Sequence, residues 1–131
     1  MLSYEDVPAA AAWLAEVFGL TEVQRFTDDR GLVTHCVMSL DDGFVHLGNP
    51  GPNYEGPRHH AETCEQAHLW RESSMIVDGV LAYVADLDAH FVRVSEAGAT
   101  ILTEPDEGGA GRQYRVEDVA GHRWMFAQRK D

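Results

Sequence analysis

Seven histidines and two cysteines are the side chains best suited to bind a metal or move a proton. His60, Cys64 and His68 recur every four residues, so on a helix they share one face, a spacing that can chelate zinc. The surrounding segment, His59–Glu72, reads as a short polar helix carrying Trp70. No carboxylate stands out as a partner to orient the imidazoles, and an ordinary solvated helix face is the simpler reading. No Ser-His-Asp or Cys-His nucleophile arrangement is visible, and no glycine-rich phosphate loop follows a strand. Cys36 and Cys64 fall in different segments. The acidic opening Met1–Asp6 lacks the basic, apolar character of a secretory leader, so both cysteines read as free thiols in a reducing, cytoplasmic setting.

Composition narrows the partners. The 131 residues, 44% of them hydrophobic, suffice for one domain with its own core. A net charge of −12 repels phosphate backbones, which argues against nucleic acid, and would attract cationic small molecules. No apolar run is long enough to cross a bilayer.

The elements that must position these side chains repeat. Leu2-Ser3-Tyr4 ahead of Asp6 matches Leu81-Ala82-Tyr83 ahead of Asp86. A helical stretch follows each aspartate and ends at Gly19 or Gly98. The aspartates lie 80 apart (86 − 6) and the glycines 79 apart (98 − 19), so one residue has slipped between the copies. Asp6 is a plausible N-cap with Pro8 in the first turn, and Ala10, Trp13, Leu14, Val17 and Phe18 form an apolar face. Leu87, Phe91, Val94 and Ala97 form the matching face in the second copy. Both stripes read as core. Strands are expected at Glu22–Phe26, Val33–Leu40 and Phe44–Leu47, then at Thr100–Leu102, Gln113–Val116 and Arg123–Ala127, with glycine-containing turns between them, the longest Glu107–Gly111. The fold class is α+β: two βαβββ modules, at about 1–48 and 79–131, joined by a linker at about 49–78 that opens on Pro and Gly and closes on the turn Asp78-Gly79.

The run Tyr114-Arg115, then Asp118-Val119-Ala120-Gly121-His122-Arg123-Trp124-Met125-Phe126, resembles the closing strand of the glyoxalase/bleomycin-resistance (vicinal oxygen chelate) superfamily, with Val119 where proline is usual. Tyr4-Glu5-Asp6-Val7 with Phe18-Gly19 resembles its opening. The likeness spans essentially the whole chain. It implies that each module bends its sheet into a half-cup with helices on the outer face, and that homodimers are common. Enzymes of the group hold a divalent metal with one side chain from the first and last strand of each module. Here the resemblance puts His46, Gly79 and Met125 at three of those positions, and the fourth, counted back from Asp6, precedes the first residue. Glycine has no side chain and a thioether is a poor ligand for such ions, so no metal or other cofactor is expected.

Ligand positions point into the cup, and strand alternation extends the list. The expected lining is Phe44, His46, Leu81, Tyr83, Arg123 and Met125, with Val45, Leu47, Val80, Ala82, Val84, Trp124 and Phe126 facing the helices. Aligning Leu81 and Tyr83 with Leu2 and Tyr4 by the glycine spacing would flip the strand that holds them. His35 shares a face with Val37 and Ser39, on a side left open. The bleomycin-resistance branch implied by the missing ligands points to a metal-free homodimer that sequesters an antibiotic or another bulky aromatic metabolite. Acidity favours a cationic ligand, whereas Arg123 would favour an anion. The alternatives are a glyoxalase-like lyase or isomerase with His46 as its acid/base group, and a dimerising partner domain.

Overall fold

The computed structural model describes residues 1–73, 79–109 and 111–129. Asp78 of the expected closing turn and Ala110 of the Glu107–Gly111 connection lie outside them. The first half runs β1 (Leu2–Ser3), α1 (Val7–Trp13), β2 (Thr21–Thr27), β3 (Val33–Leu40) and β4 (Gly43–Gly48). Two linker helices follow, α2 (Pro57–Thr63) and α3 (Glu65–Trp70). The second half repeats the pattern as β5 (Gly79–Tyr83), α4 (Leu87–Glu96), β6 (Ile101–Gly108), β7 (Gly111–Glu117) and β8 (Arg123–Gln128). Each half builds a mixed four-stranded sheet, ordered β1-β4-β3-β2 and β5-β8-β7-β6. In each, the first strand runs parallel to the last because the helix carries the chain back, and the other pairings are antiparallel.

The helices begin alike. Asp6 Oδ1 accepts from Ala9 N at 3.0 Å, and Asp86 Oδ1 from Ala89 N at 3.1 Å. They end differently. α1 continues into a π-helical segment, Leu14–Phe18, before Gly19 turns left-handed at φ +84, whereas α4 stays α-helical to Glu96, is capped by Ala97, and Gly98 then turns left-handed at φ +83. The widened turn absorbs the one residue that separates the two copies in sequence. Side chains of α4 take up the carbonyls at that end: His90 Nε2 is 2.8 Å from Phe18 O, and Arg93 Nη2 donates to Glu16 O at 2.8 Å. Phe18, fully buried, meets Trp13, Trp124 and Phe126 edge to face at centroid distances of 4.8, 5.3 and 4.9 Å, which joins the core of one half to that of the other.

Two elements depart from the sequence reading. The expected helix His59–Glu72 is broken at Cys64, which is extended at φ −134, ψ 115. Thr63 Oγ1 donates to Glu55 Oε2 at 3.0 Å and lies 3.2 Å from His60 O, side-chain bonding that competes with helix continuation. His60, Cys64 and His68 therefore do not share one helix face. Strand β6 runs on to Gly108 through Thr103-Glu104-Pro105-Asp106, which reads locally as a loop. A sheet edge tolerates the proline, and the register with β7 shifts between Thr103 and Asp106 to accommodate it.

Candidate functional site

The open faces of the sheets follow from alternation along β4, β5 and β8. Leu47 is buried and Val45 packs on the core, while Phe44 is 63% exposed on the other face with His46. Val80 and Ala82 pack inward, while Leu81 stands 46% exposed, with Tyr83 on its side of the strand. Trp124 and Phe126 are buried, and half-buried Met125 lies opposite Leu81 in the pairing of β5 with β8. The first of the two registers considered for β5 is thus the one adopted. Phe44, Leu81 and Tyr83 line a cleft of about 210 Å³ together with Asp41, Asp42 and Arg129, and the cleft also reaches the core-side Val45, Val80 and Trp124. The Arg129 guanidinium carbon sits 4.1 Å above the centre of the Tyr83 ring. Phe44 and His46 also border an adjoining opening of about 680 Å³ with Leu2, Val80, Tyr54 and His122.

His35 joins this face. Its Nε2 is 3.1 Å from His46 Nδ1, and its ring meets Phe26 edge to face at 5.4 Å. One nitrogen of the pair must donate and the other accept, so the tautomer of one ring fixes that of the other. The sequence held the signal that places His35. A two-residue connection, Asp41-Asp42, sets Val37 opposite His46 and so puts His35 on the same side. Arg115, whose Nη2 lies 3.8 Å from Met125 Sδ, and Arg129 were missed because β7 and the end of β8 gave no chemical cue of their own.

Arg123 lies elsewhere. It is 7% exposed, and its guanidinium bonds to Glu117 Oε2 at 3.3 Å, to Arg71 O at 2.7 Å and to Ser73 O. Glu117, 6% exposed, also holds Arg71 at 2.5 Å and Arg58 at 3.3 Å. A buried carboxylate draws guanidinium groups to itself because unpaired it would be costly to desolvate. The sequence pattern could not show this, since the partners come from the linker. Arg123 consequently anchors α3 and borders a linker-side pocket, apart from the Phe44 cleft.

The closing motif explains how the halves are fastened. Asp118, 1% exposed, accepts from Tyr4 OH at 2.5 Å, Trp124 Nε1 at 3.0 Å, and the backbone N–H groups of Ala120 and His122 at 3.0 Å each. Burial beside this carboxylate pushes the Tyr4 phenol far above its ordinary range. His122 Nε2 contacts Ser3 O at 2.6 Å. Gly121, at φ +92, leaves room for the linker: a Cβ there would meet Arg58 N at 2.9 Å. Residues 1–126 match the Glyoxalase/Bleomycin resistance protein/Dioxygenase superfamily.

The chain belongs to this superfamily.

Relatives of the superfamily member include an uncharacterized protein of Mycobacterium bovis, 26% identical over 97% of this chain and 79% of its own length. Among solved structures, TioX from Micromonospora sp. ML1 superposes with a TM-score of 0.71 at 29% identity, covering 98% of this chain and 94% of that one. TnmS3, described as an antibiotic binding protein from Streptomyces sp. CB03234, has a TM-score of 0.70 at 17% identity, covering 98% and 91%, a likeness of fold.

The superfamily's metal does not fit the donors at hand. His46 is engaged with His35, Gly79 offers no side chain opposite Arg123, and the Met125 thioether lies against a guanidinium. Among the described residues, no three His, Cys, Asp or Glu side chains gather as a ligand set. No helix among them is long and apolar enough to cross a membrane.

Proposed function

We propose that this protein binds and sequesters a bulky aromatic small molecule of the antibiotic type, without a metal, as a homodimer. The observation that carries the reading is the cleft bordered by Phe44, Leu81 and Tyr83, where large apolar side chains stand out from the core beside Val80 and Trp124, which the cleft also reaches. Apolar walls with a few charged points are the usual make-up of a small-molecule site. Asp41 and Asp42 outnumber Arg129 at the cleft, and Arg123 is drawn away from it, a balance that favours a cationic ligand. The description of TnmS3 as antibiotic-binding supports the same reading by fold. His46, Met125 and Arg115 extend the proposed lining along the sheet faces.

Calorimetric titration with glycopeptide and aromatic peptide antibiotics tests it. One member of the panel binds, is recovered unmodified, and loses about tenfold or more in affinity with Phe44→Ala, the loss of an aromatic contact worth on the order of 1–2 kcal/mol. Silence across the panel, with no protection of sensitive cells on expression, would sink the proposal.

A second reading rests on the His35–His46 pair. Two imidazoles 3.1 Å apart can pass a proton, as a lyase or isomerase requires, with His46 as the acid/base group. Chemical turnover of a bound ligand, abolished by His46→Gln, would select this reading over sequestration.

A further inference from the structure

The linker borders a second pocket, of about 270 Å³, which shares no lining residue with the Phe44 cleft. Its walls combine Tyr54 ahead of α2, Pro57 at the start of α2, Trp70 and Arg71 at the end of α3, and His122 and Arg123 at the start of β8. Trp70 is 45% exposed, a large ring held at the pocket rather than in the core. Tyr54 OH and His122 Nε2 both contact Ser3 O, at 3.2 and 2.6 Å. These two rings form a wall that the pocket shares with the opening beside His46.

Charge sets the pocket's preference. Arg71 and Arg123 line it, and Glu117 behind them is shared with a third guanidinium, that of Arg58. Three cations thus meet one carboxylate, in a protein whose net charge is −12. Glu55, at the rim, accepts from Thr63 Oγ1 and offsets one of the two surplus charges. Backbone carbonyls of Arg71, Ser73 and Gly121 fix the two lining guanidinium groups, so their positions are set before any ligand arrives. Planar, pre-positioned guanidinium groups suit a carboxylate or sulfonate, and an adjoining indole suits a flat ring.

We propose that this pocket binds a small aromatic carboxylate or sulfonate, its anionic group toward Arg71 and its ring against Trp70. The inference is independent of what the Phe44 cleft binds.

The probe is 2-naphthoate, compared with neutral 2-naphthamide and cationic 2-naphthylmethylamine, by calorimetry and by amide chemical-shift mapping of the full chain. One 2-naphthoate binds per chain, at least tenfold tighter than the amide, and shifts the Trp70 indole and the amides of Gly121 and His122. Trp70→Ala weakens it tenfold or more. Trp70→Phe, which keeps a ring, restores most of the affinity and shows that the loss is not one of folding. Phe44→Ala leaves binding unchanged. Equal affinity for acid and amide, preference for the amine, shifts centred on Phe44 and Leu81, indifference to Trp70→Ala, or no binding at millimolar naphthoate would each overturn the proposal.

Discussion

At the scale of single residues, Asp118 and His90 do the most with the least exposure. Asp118 accepts four hydrogen bonds, two from side chains of opposite halves of the chain. Asp118→Ala strands the buried Tyr4 hydroxyl and Trp124 indole N–H, each unmet donor costing about 1–3 kcal/mol. Urea denaturation therefore shows a loss on the order of 3–5 kcal/mol, and a loss under about 1 would deny the fastening role. His90 sits between the Tyr114 hydroxyl at 2.7 Å and Phe18 O at 2.8 Å, an arrangement met by a neutral ring with Nε2–H donating. Burial holds its pKa below the ordinary imidazole value of 6.5. The unfolded chain then binds the proton more readily, so stability falls as pH drops below about 6.5. His59, raised by Glu5, works the other way, its contribution fading as pH rises, but that pair is exposed and screened. Unfolding free energies at pH 7.5 and 5.5 should differ less in His90→Gln than in the parent. An unchanged difference would place the pH sensitivity elsewhere.

At the scale of elements, the repeat was legible because capping aspartates, apolar helix stripes and terminal glycines are local signals. The slip of one residue was legible too. Its form was not, because a π-helical turn is fixed by what α4 offers to its carbonyls, Arg93 and His90, and not by the α1 sequence. The extension of β6 past Pro105 escaped because it depends on a place at the sheet edge, and the break at Cys64 because it turns on the Thr63 hydroxyl bonding Glu55 and His60, which the helical spacing of the histidines does not show. Gly19 and Gly98 make the dependence measurable. Both are left-handed at nearly the same φ, yet a Cβ at Gly19 would lie 3.0 Å from Arg93 Nη1, while at Gly98 nothing stands within 4 Å. Gly98→Ala costs the backbone strain alone, about 1–2 kcal/mol. Gly19→Ala costs more, and the excess disappears in an Arg93→Ala background, as a double-mutant cycle in urea would show. An equal cost at the two glycines would mean that the Arg93 latch carries no energy.

At the scale of the whole molecule, alternation along β4, phased by the positions that the resemblance supplied, was enough to read that Phe44 leaves the core, whereas β5 kept two registers until the packing of Val80 and Ala82 on the core chose the one that exposes Leu81. Arg123 was not readable in the same way, because its burial is set by Glu117 and by linker carbonyls that no strand pattern contains. What the single chain leaves open is its apolar surface. Every residue of edge strand β2 is exposed, Val23 to 55% and Phe26 to 45%, and Phe44 and Leu81 stand open on neighbouring faces. An exposed edge strand invites pairing, and patches of this kind commonly mark an interface. The two roles separate by position. If a second copy covers β2 while the cleft holds the ligand, Phe26→Glu shifts sedimentation from dimer to monomer at micromolar concentration, whereas Phe44→Ala leaves the dimer intact and weakens only the ligand. A parent protein that sediments as a monomer, or a Phe26→Glu protein that stays dimeric, would remove β2 from the interface. A Phe44→Ala protein that loses the dimer would instead merge the interface with the binding wall, and the cleft would have to be described as a surface shared between two copies.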